Sequence, residues 1–379
     1  MSVMESRAGR LAKVRDSARD AGVDSLVITH LPNIYYLTGF AGTAGALFVS
    51  PESCRLIVDS RYVTAARGLA SALPDGFVSV EPVARSYDET IADLVLRDGR
   101  REIGIEATHL SVARFNALSA LGRRSTGDGP GTADDGFRLV PTERIVERVR
   151  MVKDAAEIAI FREAAGRLSA IARRLAEMAA PGRTEKEVAD RIEAALRQAG
   201  FSRPAFDTIV ASGPNSALPH ASPTDRVLQP GDPTVLDFGG VYSGYCVDLT
   251  RTVQLGGISG EVGRLFAAVA EAQKAALAAV RPGVRPSEVD AAARAVLERQ
   301  GLGEAFGHGT GHGLGLEIHE DPRVGRALPN LPDDPLEAGV VITIEPGAYV
   351  PGLGGVRIED DVLVTADGCE VLTDVPTFL

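Results

Sequence analysis

Two segments of the chain occur twice in the same order, and this repeat constrains the fold more than any other feature. PGRTEKEV, which begins at Pro181, resembles PGVRPSEV, which begins at Pro282, and each leads into a helical pattern. Further on, LQPGDPTVLDFG matches LEAGVVITIEPG, an alignment that pairs Asp237 with Glu345. The repeat predicts two duplicated βα-type units, each with a carboxylate at the end of a buried strand. A site between two symmetric halves would need such a pair of acids.

The first third of the chain reads as a separate α/β domain, and the length of 379 residues also suggests two domains. The Gly- and Asp-rich run 125–136 predicts a loop, and DAAE, a capping box, begins a long helix at Asp154. We place the boundary between a domain of residues 1–147 and a domain of residues 148–379. Strand-like runs and helical stretches alternate in the first domain, the strands at 25–30, 46–50, 55–60 and 102–107, and the helices near 4–21, 62–73 and 87–96.

The composition is that of a soluble globular protein, with 45% hydrophobic and 24% charged residues. The net charge of −11 argues against nucleic acid as a partner, and no apolar run is long enough to span a membrane. The N-terminus does not read as a signal peptide. The three cysteines, Cys54, Cys246 and Cys369, are scattered and do not have the spacing of a disulfide framework. This predicts reduced thiols in a cytoplasmic protein.

TVLDFGGVYSGYCVDLTRTV has the pattern of a β-hairpin in which apolar β-formers flank a Ser243-Gly244 turn. With that turn, Gly239 lies opposite Asp248, and Asp237 lies two residues further along on the same face. Without a cation, two acids so placed would repel each other or raise one pKa. The hairpin therefore predicts a metal site that includes Asp237 and Asp248.

A second hairpin pattern joins VVITIEPGAYV to VRIEDDVLV through a Gly-rich turn. Glu345 ends an apolar strand, where a buried carboxylate needs a partner. Glu359 is followed by Asp360 and Asp361, and alternation places Asp361 on the same face as Glu359. The hairpin pattern alone therefore does not determine which of these three acids lies with Glu345 in the site.

Between the hairpins, GHGTGHGLGLEIHE contains three of the six histidines of the chain, His308, His312 and His319. Flanking glycines let the backbone approach a ligand closely, which indicates functional histidines. Carboxylates with an imidazole form a donor set that favours Mn²⁺, with Co²⁺, Zn²⁺ or Fe²⁺ as alternatives. Two such ions activate water and polarise a carbonyl, which is the chemistry of amide hydrolysis.

These motifs resemble those of the pita-bread metallopeptidases, the group that includes methionine aminopeptidase, prolidase and aminopeptidase P. The motifs DFGG, DLTRT, GHGTGH, HEDP, IEPG and RIED carry the resemblance in the second domain. NIYYLTGF and DSRY are similar to the N-terminal domain of the Xaa-Pro branch. The resemblance implies a creatinase-like N-terminal α/β domain and a C-terminal pita-bread domain with a pseudo-twofold repeat, and it implies a homodimer.

The resemblance also implies roles for individual residues. The implied metal ligands are Asp237, Asp248, His312, Glu345 and Glu359, which resolves the choice between Glu359 and Asp361. Glu345 would also take a proton from the attacking water. The remaining implied residues are His220 beside the scissile bond, His319 on the substrate carbonyl, and His308 and Arg357 around the substrate pocket.

The expected substrates are peptides with an Xaa-Pro bond, a tertiary amide without an N–H. Arg323 is a candidate for binding a free proline carboxylate, or a surface arginine. The length favours an Xaa-Pro dipeptidase, with an Xaa-Pro aminopeptidase as the alternative. The intact ligand set disfavours a non-catalytic binding module on the same fold and a creatinase-like amidinohydrolase.

Overall fold

A computed structural model describes residues 3–124, 136–254, 256 and 260–377. The chain divides into units of residues 1–150 and 151–379. The boundary that we propose after residue 147 lies in α6 (Ile145–Met151), the helix in which this division falls. The loop predicted at 125–136 lies outside the described residues except for Gly136. No described helix has both the length and the apolar character needed to cross a membrane.

The first unit is built on a six-stranded sheet with the order β4-β3-β2-β1-β5-β6. Its strands contribute residues such as Phe48 and Ile103 to a core that also contains Ile91 of α4 and Leu118 of α5. The alternation of strands and helices confirms the predicted α/β domain. The elements are α1 (Val3–Asp20), β1 (Ser25–Ile28), α2 (Leu31–Thr38), β2 (Ala46–Val49), β3 (Cys54–Val58), α3 (Val63–Ser71), β4 (Ser79–Pro82), α4 (Tyr87–Asp98), β5 (Glu102–Glu106), α5 (Val112–Arg124), β6 (Arg138–Thr142) and α6.

The second unit contains two larger sheets, each covered by helices. One has the order β10-β9-β7, with β8 also paired to β9, and the other has the order β12-β11-β13-β16-β17. Its helices are α7 (Ala155–Ala172), α8 (Leu175–Met178), α9 (Glu185–Gln198), α10 (Gly260–Ala279) and α11 (Pro286–Arg299). Its strands are β7 (Arg203–Pro204), β8 (Ile209–Ser212), β9 (Pro233–Tyr242), β10 (Tyr245–Gln254), β11 (Gly311–Gly313), β12 (Glu320–Val324), β13 (Val341–Ile344), β14 (Gly347–Val350), β15 (Gly354–Arg357), β16 (Asp360–Val364) and β17 (Cys369–Val371).

The repeat seen in the sequence is also a repeat of hydrogen bonds. In the first copy, the backbone N–H of Gly182 donates to Leu228 at 3.2 Å, and in the second copy that of Gly283 donates to Leu336 at 2.9 Å. Leu228 and Leu336 are both buried. The two copies lead into equivalent strands, β9 and β13, which carry or precede the paired acids. The pseudo-twofold repeat is therefore a property of the backbone as well as of the sequence.

Candidate active site

The first hairpin has the register predicted from its turn. Ser243 and Gly244 both have positive φ values, 50° and 88°, as a two-residue hairpin turn requires. Asp248 pairs with Gly239, and Thr250 pairs with Asp237. The two aspartates are therefore diagonal neighbours on one face, with exposed fractions of only 8% for Asp237 and 5% for Asp248. Both line one cavity of about 530 Å³.

The second hairpin is interrupted at the two glutamates. β13 pairs with β16 and β14 pairs with β15, while Glu345 and Glu359 lie between these two ladders. Their backbone N–H groups bond elsewhere, Glu345 to Thr310 at 2.7 Å and Glu359 to Thr250 at 3.1 Å. Because the ladder opens here, both side chains reach the cavity that contains the two aspartates.

The three consecutive acids 359–361 point in different directions. Glu359 lines the cavity. Asp360 accepts hydrogen bonds from Arg251 at 2.7 Å and from Gln273. Asp361 accepts from the backbone N–H of Asp248 at 3.1 Å, so it supports the first hairpin from behind. Strand alternation, which placed Asp361 on the same face as Glu359, is broken because β16 begins only at Asp360.

His312 is held in the orientation that a metal ligand needs. Its Nδ1 lies 3.0 Å from the carbonyl oxygen of Gly313, which favours a proton on Nδ1 and a free lone pair on Nε2. Nε2 lies 3.6 Å from Oε1 of Glu345. Burial lowers the pKa of His312 to about 4, so the ring is neutral at pH 7. Glycines are required on both sides, because a Cβ would lie 1.9 Å from the Thr343 carbonyl oxygen at Gly311 and 2.2 Å from that of Asp321 at Gly313.

The other histidines of the prediction also line the cavity. The ring of His319 packs edge-on against that of His312, with centroids 4.4 Å apart. His308 lies 3.0 Å, Nε2 to hydroxyl, from Tyr349, and burial lowers its pKa to about 4. The structure thus brings together around one cavity all ten predicted site residues, which are His220, Asp237, Asp248, His308, His312, His319, Arg323, Glu345, Arg357 and Glu359.

Arg357 and Arg251 are buried cations that support the acids. The guanidinium of Arg357 donates to Oδ2 of Asp237 and, at 2.6 Å, to the hydroxyl of Tyr349. Arg251 is 1% exposed and also donates to the carbonyl oxygen of Val375 at 2.8 Å. Neither Tyr349 nor Arg251 is among the site residues predicted from the sequence. The DLTRT motif contains Arg251, but nothing in the motif identifies its distant partners.

The acids of the cavity carry more negative charge than the protein neutralises. Burial, followed by the charge of Glu359, raises the pKa of Asp248 well above its ordinary value, and burial with the charge of Glu345 does the same for Glu359. Burial also raises the pKa of Glu345 to about 7. Among the described residues, four carboxylate oxygens are buried without a hydrogen-bond partner. Three belong to the cavity, Oδ1 of Asp237, Oδ1 of Asp248 and Oε1 of Glu359, and the fourth, Oδ1 of Asp361, belongs to a residue outside its lining. Buried anions of this kind require a proton or a cation.

Divalent metal ions fit this arrangement. Asp248, His312 and Glu359 each offer one ligand atom within 4.8 Å of the others. Carboxylate oxygens with one neutral imidazole nitrogen are donors that Mn²⁺, Co²⁺ and Zn²⁺ accept. The three carboxylate oxygens of the cavity that have no hydrogen-bond partner are therefore accounted for if cations occupy it.

A second group of metal-type donors lies in the first unit, at His30, His109 and Glu147. The rings of His30 and His109 are stacked, with centroids 3.5 Å apart and 12° between the planes. The in-plane lone pairs of nearly parallel rings do not converge on one point, so we assign no metal site there.

The raised pKa values predict how pH affects the metal-free protein. Because the folded pKa of Glu345 is about 7 and the ordinary value is 4.5, its contribution to stability is complete below pH 4.5 and is lost as the pH rises through 7. Asp248 and Glu359 shift in the same direction. We expect the Tm of chelator-treated protein to fall between about pH 5 and about pH 7.5, as measured by scanning fluorimetry. Protein loaded with Mn²⁺ should show a smaller fall, and a chelated sample whose Tm rises over this window would contradict the prediction.

Comparisons with known proteins agree with this geometry. Residues 10–152 match the creatinase/prolidase N-terminal domain, and residues 159–366 match the metallopeptidase family M24. An uncharacterized peptidase of Bacillus subtilis, YqhT, is 36% identical over 97% of this chain and 98% of its own length. An Xaa-Pro dipeptidase structure from Bacillus anthracis has a TM-score of 0.88 and 35% identity, covering 98% of this chain and 100% of that one. An X-Pro aminopeptidase from Thermotoga maritima has a TM-score of 0.84 and 33% identity, covering 97% and 98%. The chain therefore belongs to the metallopeptidase family M24 and carries the creatinase/prolidase N-terminal domain.

Proposed function

We propose that this metallopeptidase is an Xaa-Pro dipeptidase that uses two divalent metal ions, with Mn²⁺ favoured over Co²⁺ and Zn²⁺. The observation that carries the proposal is the intact donor set in one cavity, with three buried carboxylate oxygens that have no partner among the described residues. A binding module that had lost its metals would have no reason to keep these buried anions unpaired. The similarity to structures described as Xaa-Pro dipeptidase and X-Pro aminopeptidase supports the Xaa-Pro bond as the target.

On this proposal the metals are held by Asp237, Asp248, His312, Glu345 and Glu359. When bound, such ions lower the pKa of water and polarise the carbonyl of the scissile bond. Two hydrogen bonds orient the ligand side chains. Arg357 donates to Asp237, and Thr250 donates to Glu359.

Glu345 is the proposed general base. Its carboxylate lies beside His312 and lines the cavity, where it can contact a water molecule that attacks the substrate. It accepts a proton from the attacking water, and the proton then passes to the proline nitrogen as the C–N bond breaks. The nitrogen of an Xaa-Pro bond has no hydrogen of its own, so this delivery completes the leaving amine.

His220 and His319 are the proposed hydrogen-bond donors to the substrate carbonyl. Both rings are exposed side chains of the cavity wall. A donor aimed at the developing oxyanion lowers the barrier because it is placed before the reaction starts. His308 has a different role in the proposal, since its contact with Tyr349 connects it to Arg357 and hence to the wall of the pocket.

Arg323 favours a dipeptidase. It lies on β12 and lines the cavity, and its guanidinium donates to the carbonyl oxygen of Arg326 at 3.0 Å but pairs with no carboxylate among the described residues. A guanidinium can bind a free carboxylate through two parallel hydrogen bonds. Proline has that carboxylate in an Xaa-Pro dipeptide and lacks it in a longer peptide. An Xaa-Pro aminopeptidase is the alternative function, because Arg323 is exposed and this leaves room for a longer peptide.

A matched assay tests this proposal. Ala-Pro, Ala-Pro-Ala and Ala-Ala are incubated with the enzyme loaded with Mn²⁺, Co²⁺ or Zn²⁺. We expect Ala-Pro to be cleaved about 10- to 100-fold more efficiently than Ala-Pro-Ala, because a hydrogen bond to a charged group contributes about 1.5–3 kcal/mol. Arg323→Met should remove that preference, while Arg326→Met, at an exposed neighbouring arginine, should keep it. A wild-type preference for Ala-Pro-Ala would indicate the aminopeptidase. Homodimerisation, expected from the family resemblance, is measured separately by sedimentation.

A further inference from the structure

Two side chains of the cavity wall, one acidic and one basic, remain once the metal ligands and their support are assigned. The lining contains two arginines, and one of them, Arg357, is paired with Asp237. The other is Arg323. The lining also contains one acid outside the donor set, Asp207, which has no hydrogen-bond or ion-pair partner among the described residues. Among the described residues, the wall thus contains one carboxylate and one guanidinium that form no ion pair.

Asp207 lies at one side of the metal cage. It comes two residues, or roughly 7 Å of extended chain, before Ile209, and Ile209 pairs with Asp237 in the β8–β9 ladder. β8 joins β9 on the edge away from β10. Asp207 is therefore close to one of the proposed ligands but outside the cage.

Arg323 comes from the other sheet. It belongs to β12, which pairs with β11 on the edge away from β13, next to the strand that carries His312. The proposed ligands come from β9 and β10, in the sheet that contains β8, and from the segments around β11, β13 and β16, in the sheet that contains β12. Asp207 and Arg323 are therefore supplied by different sheets to one cavity, which also contains the proposed metal ligands.

Thr208, next to Asp207, adds a second polar group. Its side chain is 3% exposed and lines the same cavity, and its Oγ1 has no hydrogen-bond partner among the described residues. A buried hydroxyl without a hydrogen-bond partner lowers the stability of the fold unless a ligand supplies the missing hydrogen bond. A carboxylate and a hydroxyl together suit a ligand that donates several hydrogen bonds and carries positive charge.

We propose that Asp207 and Thr208 bind the α-ammonium group of the substrate, so that the cavity recognises both ends of a zwitterionic dipeptide. This inference rests on the proposed function. An α-amino group with a pKa near 8 is largely protonated at pH 7. In an Xaa-Pro dipeptide the ammonium and the proline carboxylate lie on opposite sides of the scissile carbonyl, each within a few bonds of it. The charges of the substrate match those of Asp207 and Arg323 in number and sign.

The two contacts make different demands on the substrate, which separates this inference from the choice between dipeptidase and aminopeptidase. A tripeptide such as Ala-Pro-Ala keeps its ammonium at the same distance from the scissile bond and moves its carboxylate away. Loss of Asp207 should therefore weaken the binding of dipeptide and tripeptide equally. Loss of Arg323 should weaken the binding of the dipeptide alone.

The test compares wild type with Asp207→Asn on Ala-Pro and on propionyl-proline, in which hydrogen replaces the ammonium. We expect the KM for Ala-Pro to rise about 10- to 100-fold, as loss of a charged hydrogen bond predicts, with kcat changed less than about threefold. The Ki of propionyl-proline should be the same in both proteins. Asp225→Asn, at an acid whose side chain is 85% exposed, is the matched control and should behave as wild type.

Metal content and Tm of Asp207→Asn are measured alongside and should equal those of wild type. An equal loss of affinity for Ala-Pro and propionyl-proline, or no loss for either, would overturn the inference. If wild type cleaves only Ala-Pro-Ala, the same comparison is made with Ala-Pro-Ala and propionyl-Pro-Ala. The dipeptidase proposal then fails, while the ammonium site is still tested.

Discussion

Replacing Glu345 by Gln is expected to lower kcat/KM for Ala-Pro by about 10²- to 10⁴-fold, the usual contribution of a general base. The amide has nearly the same shape as the carboxylate but cannot accept the proton of the attacking water. Glu345 is also a proposed metal ligand, so its loss acts on the metal cage as well as on proton transfer. Steady-state hydrolysis of Ala-Pro, with the bound metal of each sample measured by elemental analysis, checks the prediction.

The matched control is Glu337→Gln, which makes the same chemical change at an exposed glutamate that precedes β13. It should retain the wild-type rate. A Glu345→Gln protein that keeps more than a tenth of the wild-type kcat/KM would exclude Glu345 as the base, whatever its metal content.

The second large effect is expected from Asp248→Asn. Asp248 is buried, with one carboxylate oxygen that no described residue satisfies, and it lies within reach of His312 and Glu359. Changes outside the ligand shell already lower metal affinity about 10- to 100-fold, and loss of a ligand should exceed that. We expect bound metal to fall in dialysed protein and the hydrolysis of Ala-Pro to fall at least about 100-fold.

A chelator should produce the same loss in wild type, and added Mn²⁺ should reverse it there. Asp334→Asn, at an exposed acid, is the control for the substitution itself and should bind metal normally. Full activity in chelator-treated wild type would contradict the metallopeptidase mechanism, and normal metal content in Asp248→Asn would remove Asp248 from the cage.

The parts of the site that could be predicted from sequence are those that depend on local geometry. A two-residue turn at Ser243-Gly244 leaves only one register for its hairpin, so the pairing of Asp248 with Gly239 followed from the turn. The capping box at Asp154 was likewise predicted and confirmed, because all its contacts lie within one turn of helix. The sequence repeat alone predicted that Glu345 occupies a position equivalent to that of Asp237.

Other parts depend on contacts between distant segments and could not be derived this way. Alternation placed Asp361 and Glu359 on one face, yet the start of β16 at Asp360 separates them. Arg251 donates a hydrogen bond to the carbonyl oxygen of Val375, which is distant in the sequence, and no local sequence pattern predicts such a contact. Helix α2 was not predicted either, since its eight residues include only a short apolar stretch between Pro32 and the left-handed Gly39. Local sequence patterns predict helices and strands. Which of several neighbouring acids lines the cavity depends on the tertiary structure.

The duplicated backbone has a chemical consequence at its two equivalent acids. Asp237 and Glu345 occupy matching positions, but the guanidinium of Arg357 pairs directly with Asp237, while Glu345 is left with a raised pKa of about 7. One copy therefore supplies an aspartate paired with a guanidinium, and the other supplies a longer carboxylate that forms no ion pair with a guanidinium among the described residues. A strictly symmetric pair would present two identical carboxylates to the cavity. Divergence after duplication, by one methylene group and one neighbouring arginine, makes the two equivalent acids chemically different although the backbone is repeated.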